Sequence, residues 1–184
     1  METPEDKERD VSLHMLPLSF RVALLAVFAA LGVALRQVAI PTGNPYVTLT
    51  PGFTIPLLTG IVLGPIEGFV CGLMVGISGA IWEPAIIPIV GNIALGLSTG
   101  VPTLARRKLP TLLWATICIA SAALIGGFLP TFGGMIIYGV VPVAAAVGAS
   151  IDAGQAIIWA VVALLLDASV VQPLLQRLLH YFPS

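Results

Sequence analysis

The sequence predicts an all-α membrane protein, folded as a compact bundle of six transmembrane helices with a long, partly embedded loop before the last helix. Of its 184 residues, 58% are hydrophobic and only 9% are charged, and the mean hydropathy is +1.04. Soluble domains carry about 25% charged residues, so this chain has too few polar groups to cover a globular surface in water. Its net charge of −1 gives no reason to expect a nucleic-acid partner.

Glycine recurs at every fourth position in the apolar run 63–82, at Gly64, Gly68, Gly72 and Gly76. At helical pitch these residues form a groove without side chains, which lets a neighbouring membrane helix approach almost to backbone contact. In water, each glycine would cost about 1 kcal/mol of helix propensity. We therefore expect a central membrane helix here, with a glycine-rich strand or loop as the alternative.

Six apolar segments follow one another, each near the ~20 residues that a bilayer core requires. They cover residues 18–40, 46–63, 65–82, 85–105, 111–129 and 150–171. The membrane domain is thus expected over 17–172, between a polar lead (1–16) and a tail (173–184). Pro51 and Pro56 predict a kink or break near the outer end of the second span.

Residues 130–149 are also apolar, but Gly133, Gly134, Gly139 and Pro142 interrupt them. We expect a long loop folded back onto the bundle, and a seventh, poorly formed span is the alternative. Irregular backbone at membrane depth persists only where it is buried in protein or lines a cavity. In either case we expect this segment to pack against the bundle or to line a cavity within it.

Basic residues set the expected orientation, because cytoplasmic loops carry an excess of Lys and Arg. With six spans, only Arg36 lies toward the outer face. Seven basic residues share the other side: Lys7, Arg9, Arg21, Arg106, Arg107, Lys108 and Arg177. Both termini are then cytoplasmic. Glu67 and Asp167, near the cytoplasmic ends of their spans, are expected to cap helices or pair with these basic residues.

Three charged residues are expected toward the outer face: Arg36, Glu83 and Asp152. A charge in hydrocarbon costs about 2.5–3.5 kcal/mol on insertion scales, so such groups are normally paired or face a wet cavity. Polar and aromatic residues are expected at the same level, namely Asn44, Tyr46, Thr48, Thr50, Trp82, Asn92, Gln155 and Trp159. We therefore expect one shared pocket for a small molecule.

Simpler interpretations of these residues stay open. Trp82 and Tyr46 are also typical of interface anchors. Arg36 can extend its charge to the headgroups while its stem stays in hydrocarbon. Asp152 can satisfy the start of the last helix, with Ser150 as its N-cap.

The first span carries a ladder of small residues, Ala26, Ala30 and Ala34, which forms a smooth ridge. It serves either internal packing or the docking of another membrane subunit. The sequence contains no phosphate-binding loop for ATP and no intramembrane hydrolase motif, so no enzyme is expected. The cysteines lie inside apolar spans and the histidines at the chain ends, so no metal site or cofactor is predicted.

Three stretches, 26–41, 47–81 and 148–166, resemble the substrate-binding S component of energy-coupling factor (ECF) vitamin transporters. In that family an Ala-xxx-Ala motif on the first helix meets the coupling subunit, and Ala26, Ala30 and Ala34 match it. The family's LxGxxLGPxxG-like hairpin is similar to the run from Leu58 through Gly64-Pro65 to Gly68.

The resemblance implies an importer subunit in a prokaryotic plasma membrane, which binds a vitamin-like solute beneath the outer loops 41–50, 82–86 and 130–149. It would dock on a membrane coupling subunit driven by two cytoplasmic ATPases. Arg36 would bind an anionic group, Glu83 and Asp152 would accept hydrogen bonds, and Trp82 or Trp159 would stack. The biotin-type acid-then-lysine pair appears here as Asp152 with Gln155, which argues against biotin. A self-sufficient channel or carrier and a structural subunit without a ligand are the alternatives.

Overall fold

The structure, a computed structural model, describes residues 17–44, 46–81 and 86–181, and for 178–181 it describes the backbone alone. Within these residues six helices form a bundle, and four of them are long and apolar enough to cross a membrane. The chain is therefore a multi-pass helical membrane protein by composition and helix length. The boundaries of several helices differ from those that the sequence predicted.

The first four helices are α1 (Leu18–Arg36), α2 (Thr54–Leu63), α3 (Pro65–Gly79) and α4 (Ile86–Thr103). A 3₁₀ turn, Pro51–Phe53, leads into α2, and another, Arg106–Lys108, follows α4. Helix α5 consists of Thr111–Ser121, π-helical Ala122–Phe128 and Leu129–Ile137. Helix α6 consists of Pro142–Leu166, π-helical Asp167–Val171 and Gln172–Tyr181.

The predicted glycine groove is confirmed and faces α4. A Cβ at Gly68 would lie 2.5 Å from the carbonyl oxygen of Gly96, and one at Gly76 would lie 2.7 Å from the Cα of Ile89. A Cβ at Gly72 would collide with the carbonyl of Asn92. The backbones of α3 and α4 are thus in direct contact, as in small-xxx-small membrane packing.

The central helix is α2 rather than α3. Every residue of Thr54–Leu63 is buried, whereas α3 buries only the side that carries its glycines. A helix that is apolar on all sides is expected to be enclosed by others. With the 3₁₀ turn, α2 has only the span Pro51–Leu63, shorter than a bilayer requires by itself.

The predicted long loop at 130–149 is wrong, and so is the seventh-span alternative. Helix α5 continues to Ile137 and α6 begins at Pro142, so only a short turn separates them. Gly139 occupies that turn at φ 79°. Pro142 lies in the first turn of α6, where a missing N–H costs nothing. The last span therefore begins eight residues earlier than 150.

Both π-helical segments end two residues before a proline, Pro130 in α5 and Pro173 in α6. Proline lacks an N–H, and its ring collides with the carbonyl four residues earlier in an α-helix. Widening the preceding turn to the π form removes that collision without ending the helix. This explains why a segment with apparent helix breakers stays helical.

The first two spans are shorter than predicted at their adjoining ends. Helix α1 ends at Arg36, and two short antiparallel strands follow, β1 (Ile40–Pro41) and β2 (Thr48–Leu49). Ile40 pairs with Leu49 across them. The predicted break near the outer end of the second span is confirmed, because the helical structure begins only at Pro51, and Pro56 lies in the first turn of α2 without a kink. Thr50 caps the 3₁₀ turn by accepting the Gly52 N–H at 3.1 Å. We refer to this end of the bundle as the Arg36 end and to the opposite end as the Arg106 end.

Candidate functional site

The Arg36 end contains a set of polar side chains that are at most 5% exposed. They come from α1, the loop before α2, α4, α5 and α6, and they are Arg36, Thr50, Asn92, Thr131, Asp152 and Gln155. All but Thr131 are residues that the sequence assigned to the outer pocket. Burying polar and charged groups is costly unless they are satisfied, so their surroundings matter.

Arg36 is 0% exposed and is enclosed by protein rather than extended toward headgroups. Its guanidinium carbon lies 5.4 Å from the centroid of the Phe53 ring, within cation–π range. Two glycines make room for it. A Cβ at Gly79 would lie 2.6 Å from its Nε, and one at Gly52 would lie 2.9 Å from its Cα.

Asp152 connects α5 and α6 through its carboxylate. Its Oδ2 accepts a hydrogen bond from the Thr131 hydroxyl, and its Oδ1 accepts one from the Gln155 side-chain amide. Asp152 lies well inside α6, so the interpretation that it satisfies a helix N-terminus is wrong. Ser150 is likewise no N-cap, because its hydroxyl donates to Ala146 O at 2.8 Å inside the helix.

Gln155 connects α6 to strand β2 and from there to α1. Its Nε2 donates to Thr48 O at 3.0 Å, and its Oε1 accepts from the Thr50 N–H at 3.3 Å. The Thr50 hydroxyl in turn donates to Leu35 O at 3.3 Å. A continuous chain of hydrogen bonds therefore runs from α5 through α6 and the loop to the end of α1.

Thr131 is the member of this network that the sequence analysis missed. It directly follows Pro130 in the segment that was predicted to be a loop. Gly127, four residues earlier, lets α5 approach α6 closely enough for this contact, since a Cβ there would lie 2.7 Å from the backbone oxygen of Asp152. A hydroxyl beside a proline in an otherwise apolar run was the available signal.

Asn92, 1% exposed, donates from Nδ2 to Pro88 O at 2.8 Å, one turn earlier in α4. Its Oδ1 is buried and has no hydrogen-bond partner among the residues that the structure describes. Pro88 also lies against the Arg36 site, because a Cβ at Gly79 would be 3.0 Å from Pro88 Cβ. A buried acceptor without a hydrogen bond lowers the stability of a protein by about 1–3 kcal/mol. A ligand that donates a hydrogen bond to Asn92 Oδ1 would therefore be favoured.

Asn44 and Tyr46 lie over the α5–α6 turn. The Tyr46 N–H donates to Asn44 Oδ1 at 3.0 Å, and a Cβ at Gly148 would be 3.0 Å from Asn44 Nδ2. The Tyr46 ring packs on the small core of Ile87, Met135 and Ala145, with its centroid 6.1 Å from that of Tyr138. The loop before α2 thus covers the bundle at the Arg36 end.

Three predicted pocket residues, Trp82, Glu83 and Trp159, are not part of this network as the structure describes it. Trp159 is half-buried and packs against the main apolar core. Trp82 and Glu83 lie outside the described residues, so their predicted place in the pocket stays a prediction.

At the Arg106 end, the predicted pairing of Glu67 and Asp167 with basic residues is confirmed. Arg21 of α1 pairs with Glu67 of α3, and Arg106 Nη2 lies 2.9 Å from Asp167 Oδ2. The Arg106 guanidinium carbon also lies 4.3 Å from the Trp114 ring centroid.

The alanine ridge of α1 lies on the side of the helix that faces away from the bundle. Ala26, Ala30 and Ala34 are all exposed, and α1 packs through its opposite side, where a Cβ at Gly32 would be 3.2 Å from Ile55 Cβ. The internal-packing interpretation of these alanines is therefore wrong. The ridge is available to lipid or to another protein.

No protein-family model matches this chain, and comparisons with curated proteins and with solved structures give no match. The fold and site define its class as a multi-pass helical membrane protein with a buried polar network at one end.

Proposed function

We propose that this chain is the substrate-specificity (S) subunit of an ECF-type importer in a prokaryotic plasma membrane, with both termini in the cytoplasm. The observation that supports this proposal most is the buried polar network at the Arg36 end. Arg36 and Asp152 come from different helices of a predominantly apolar bundle, and buried charges in membrane helices typically mark sites for substrates.

In this proposal the ligand is a vitamin-like small molecule that enters at the Arg36 end, which faces outward. Arg36 holds an anionic group of the ligand, and Asn92 Oδ1 accepts a hydrogen bond from a ligand N–H or O–H. Asp152, Gln155 and Thr50 position the loop that covers the ligand. Further contacts would come from Asn44, Tyr46, Trp82, Glu83 and Trp159.

Delivery driven by ATP would require partner subunits, because the sequence contains no phosphate-binding loop for ATP. We propose that the exposed ridge of Ala26, Ala30 and Ala34 docks on a membrane coupling subunit, and that two cytoplasmic ATPases supply the energy. A ridge of small residues suits close helix–helix contact in a bilayer.

The proposal is tested first on the purified protein, by native mass spectrometry for a co-purified small molecule and by thermal unfolding with a panel of vitamins. A ligand at a hundredfold excess over its Kd stabilises by about 2.7 kcal/mol. Asn92→Ala should weaken ligand binding about tenfold, the loss of one net hydrogen bond. The matched control is Ser150→Ala, which removes an exposed hydroxyl bonded within its own helix.

Three results would contradict the proposal. If no vitamin shifts the unfolding temperature and no small molecule co-purifies, a subunit without a ligand is favoured. If the protein alone transports a solute into liposomes, a self-sufficient carrier or channel is favoured. If Asn92→Ala and Arg36→Ala both bind the ligand as the unmodified protein does, the site assignment is wrong.

A further inference from the structure

Three cations follow one another at the Arg106 end, in the 3₁₀ turn Arg106–Lys108 between α4 and α5. Arg106 is held against the bundle by Asp167, 2.9 Å away, and by the Trp114 ring beneath it. Asp167 is only 2% exposed, so this contact lies in the protein interior. The turn is therefore fixed to α5 and α6 by its first residue.

The other two cations, Arg107 and Lys108, are exposed. The Lys108 N–H donates to Ala105 O at 2.9 Å, which closes the turn. Because Arg106 is anchored inward and the turn is closed, its neighbours are presented on the outer surface of the bundle in a defined place. They form a short positively charged edge rather than part of a mobile tail.

Large apolar side chains flank this edge on both sides. Leu104, directly after α4, is 62% exposed, and Leu112 at the start of α5 is 81% exposed. They adjoin apolar segments that are long enough to cross a membrane, so we expect these leucines to face hydrocarbon. Basic residues beside such leucines are expected where acyl chains give way to headgroups.

We propose that this turn binds the phosphate of an anionic phospholipid, with Arg107 and Lys108 on the phosphate and with Leu104 and Leu112 against the acyl chains. Guanidinium and ammonium groups are the usual donors to phosphate oxygens. The exposed leucines favour a lipid, because its acyl chains cover apolar surface, whereas free phosphate and a purely acidic protein segment have no apolar group to do so. This site is at the opposite end of the bundle from Arg36 and does not depend on the proposed function.

The test is native mass spectrometry of the full chain in detergent, titrated with dioleoyl phosphatidylglycerol or dioleoyl phosphatidylcholine. The unmodified protein should bind phosphatidylglycerol more tightly. One basic residue near an anionic lipid contributes about fivefold in affinity, so Lys108→Gln should weaken phosphatidylglycerol binding about fivefold, and Arg107→Gln with Lys108→Gln about 25-fold. Phosphatidylcholine binding should change little.

The matched control is Arg177→Gln, which removes another exposed arginine, from the last segment of α6. It should leave phosphatidylglycerol binding unchanged, and the unfolding temperature of every variant should match that of the unmodified protein. Equal binding of the two lipids, or equal losses in Arg177→Gln and Lys108→Gln, would overturn the proposal. Complete displacement of the lipid by inorganic phosphate or by a glutamate-rich peptide would also overturn it, in favour of that ligand.

Discussion

Gln155 Oε1 accepts a hydrogen bond from the backbone N–H of Thr50 at 3.3 Å, across 105 residues of sequence. The same side-chain amide donates to Thr48 O, so it pairs with β2 on both sides of Leu49 much as a neighbouring strand would. One side chain of α6 therefore holds the loop that covers the Arg36 end.

Gln155→Leu should release this loop, because leucine has similar size but cannot form the two hydrogen bonds of the Gln155 amide to Thr48 O and the Thr50 N–H. We expect amide hydrogen exchange over residues 46–53 to accelerate about tenfold or more, which corresponds to about 1.4 kcal/mol of lost protection. The measurement is exchange followed by mass spectrometry, with Ser150→Ala as the control on the same helix. Unchanged exchange in Gln155→Leu would show that other contacts hold the loop.

Gly72→Val should strongly destabilise the bundle, since even a Cβ at this position collides with the Asn92 carbonyl. Overpacking of a close contact typically costs about 1–3 kcal/mol, and here the collision involves backbone that cannot move aside. The matched control is Gly133→Ala in α5, where a Cβ meets nothing within 4 Å. That change should stabilise by up to about 1 kcal/mol through helix propensity. Thermal unfolding in detergent compares the two, and equal effects would contradict the close packing of α3 and α4.

Asp167→Asn should destabilise by about 3 kcal/mol, because it removes the carboxylate charge that lies 2.9 Å from the mostly buried guanidinium of Arg106. Adding Arg106→Gln to this variant should recover part of the loss, since the guanidinium charge is then removed as well. A double-mutant cycle on unfolding free energies measures the coupling between the two residues. Strictly additive effects would mean that the ion pair contributes nothing specific.

Ala30→Leu should leave ligand binding unchanged while it weakens assembly with the proposed coupling subunit, because a larger side chain on the exposed ridge keeps the partner helix at a distance. Val143→Leu, at a position that is 78% exposed on α6, serves as the control for added apolar bulk. Co-purification of the partner complex measures the effect. Equal assembly of both variants would place the partner elsewhere on the chain.

Periodic signals in the sequence predicted the features that depend on a single helix or on one pair of charges. The glycine spacing at Gly68 and Gly72 predicted close contact with a neighbouring helix, which the structure identifies as α4. The positions of Glu67 and Asp167 near basic residues predicted either capping or ion pairs, and the structure shows ion pairs. Both predictions needed only the position of each residue along its own span, so they could be made without knowledge of the tertiary structure.

The errors came from residues whose effect depends on their surroundings. Gly133, Gly134, Gly139 and Pro142 indicated a loop, yet α5 continues through the first two glycines to Ile137 and α6 begins at Pro142. A π turn before Pro130 also keeps α5 helical. Thr131 was missed for the same reason. The bonds from Gln155 to the backbone of β2 could not be predicted either, because nothing in the sequence specified that a two-residue strand lies there.

The contact between α3 and α4 also bears on how the protein can move. Backbone lies against backbone at Gly68 and Gly72, so no side chain at these points can change rotamer to loosen the contact. We therefore expect α3 and α4 to move together as one unit in any rearrangement of the bundle.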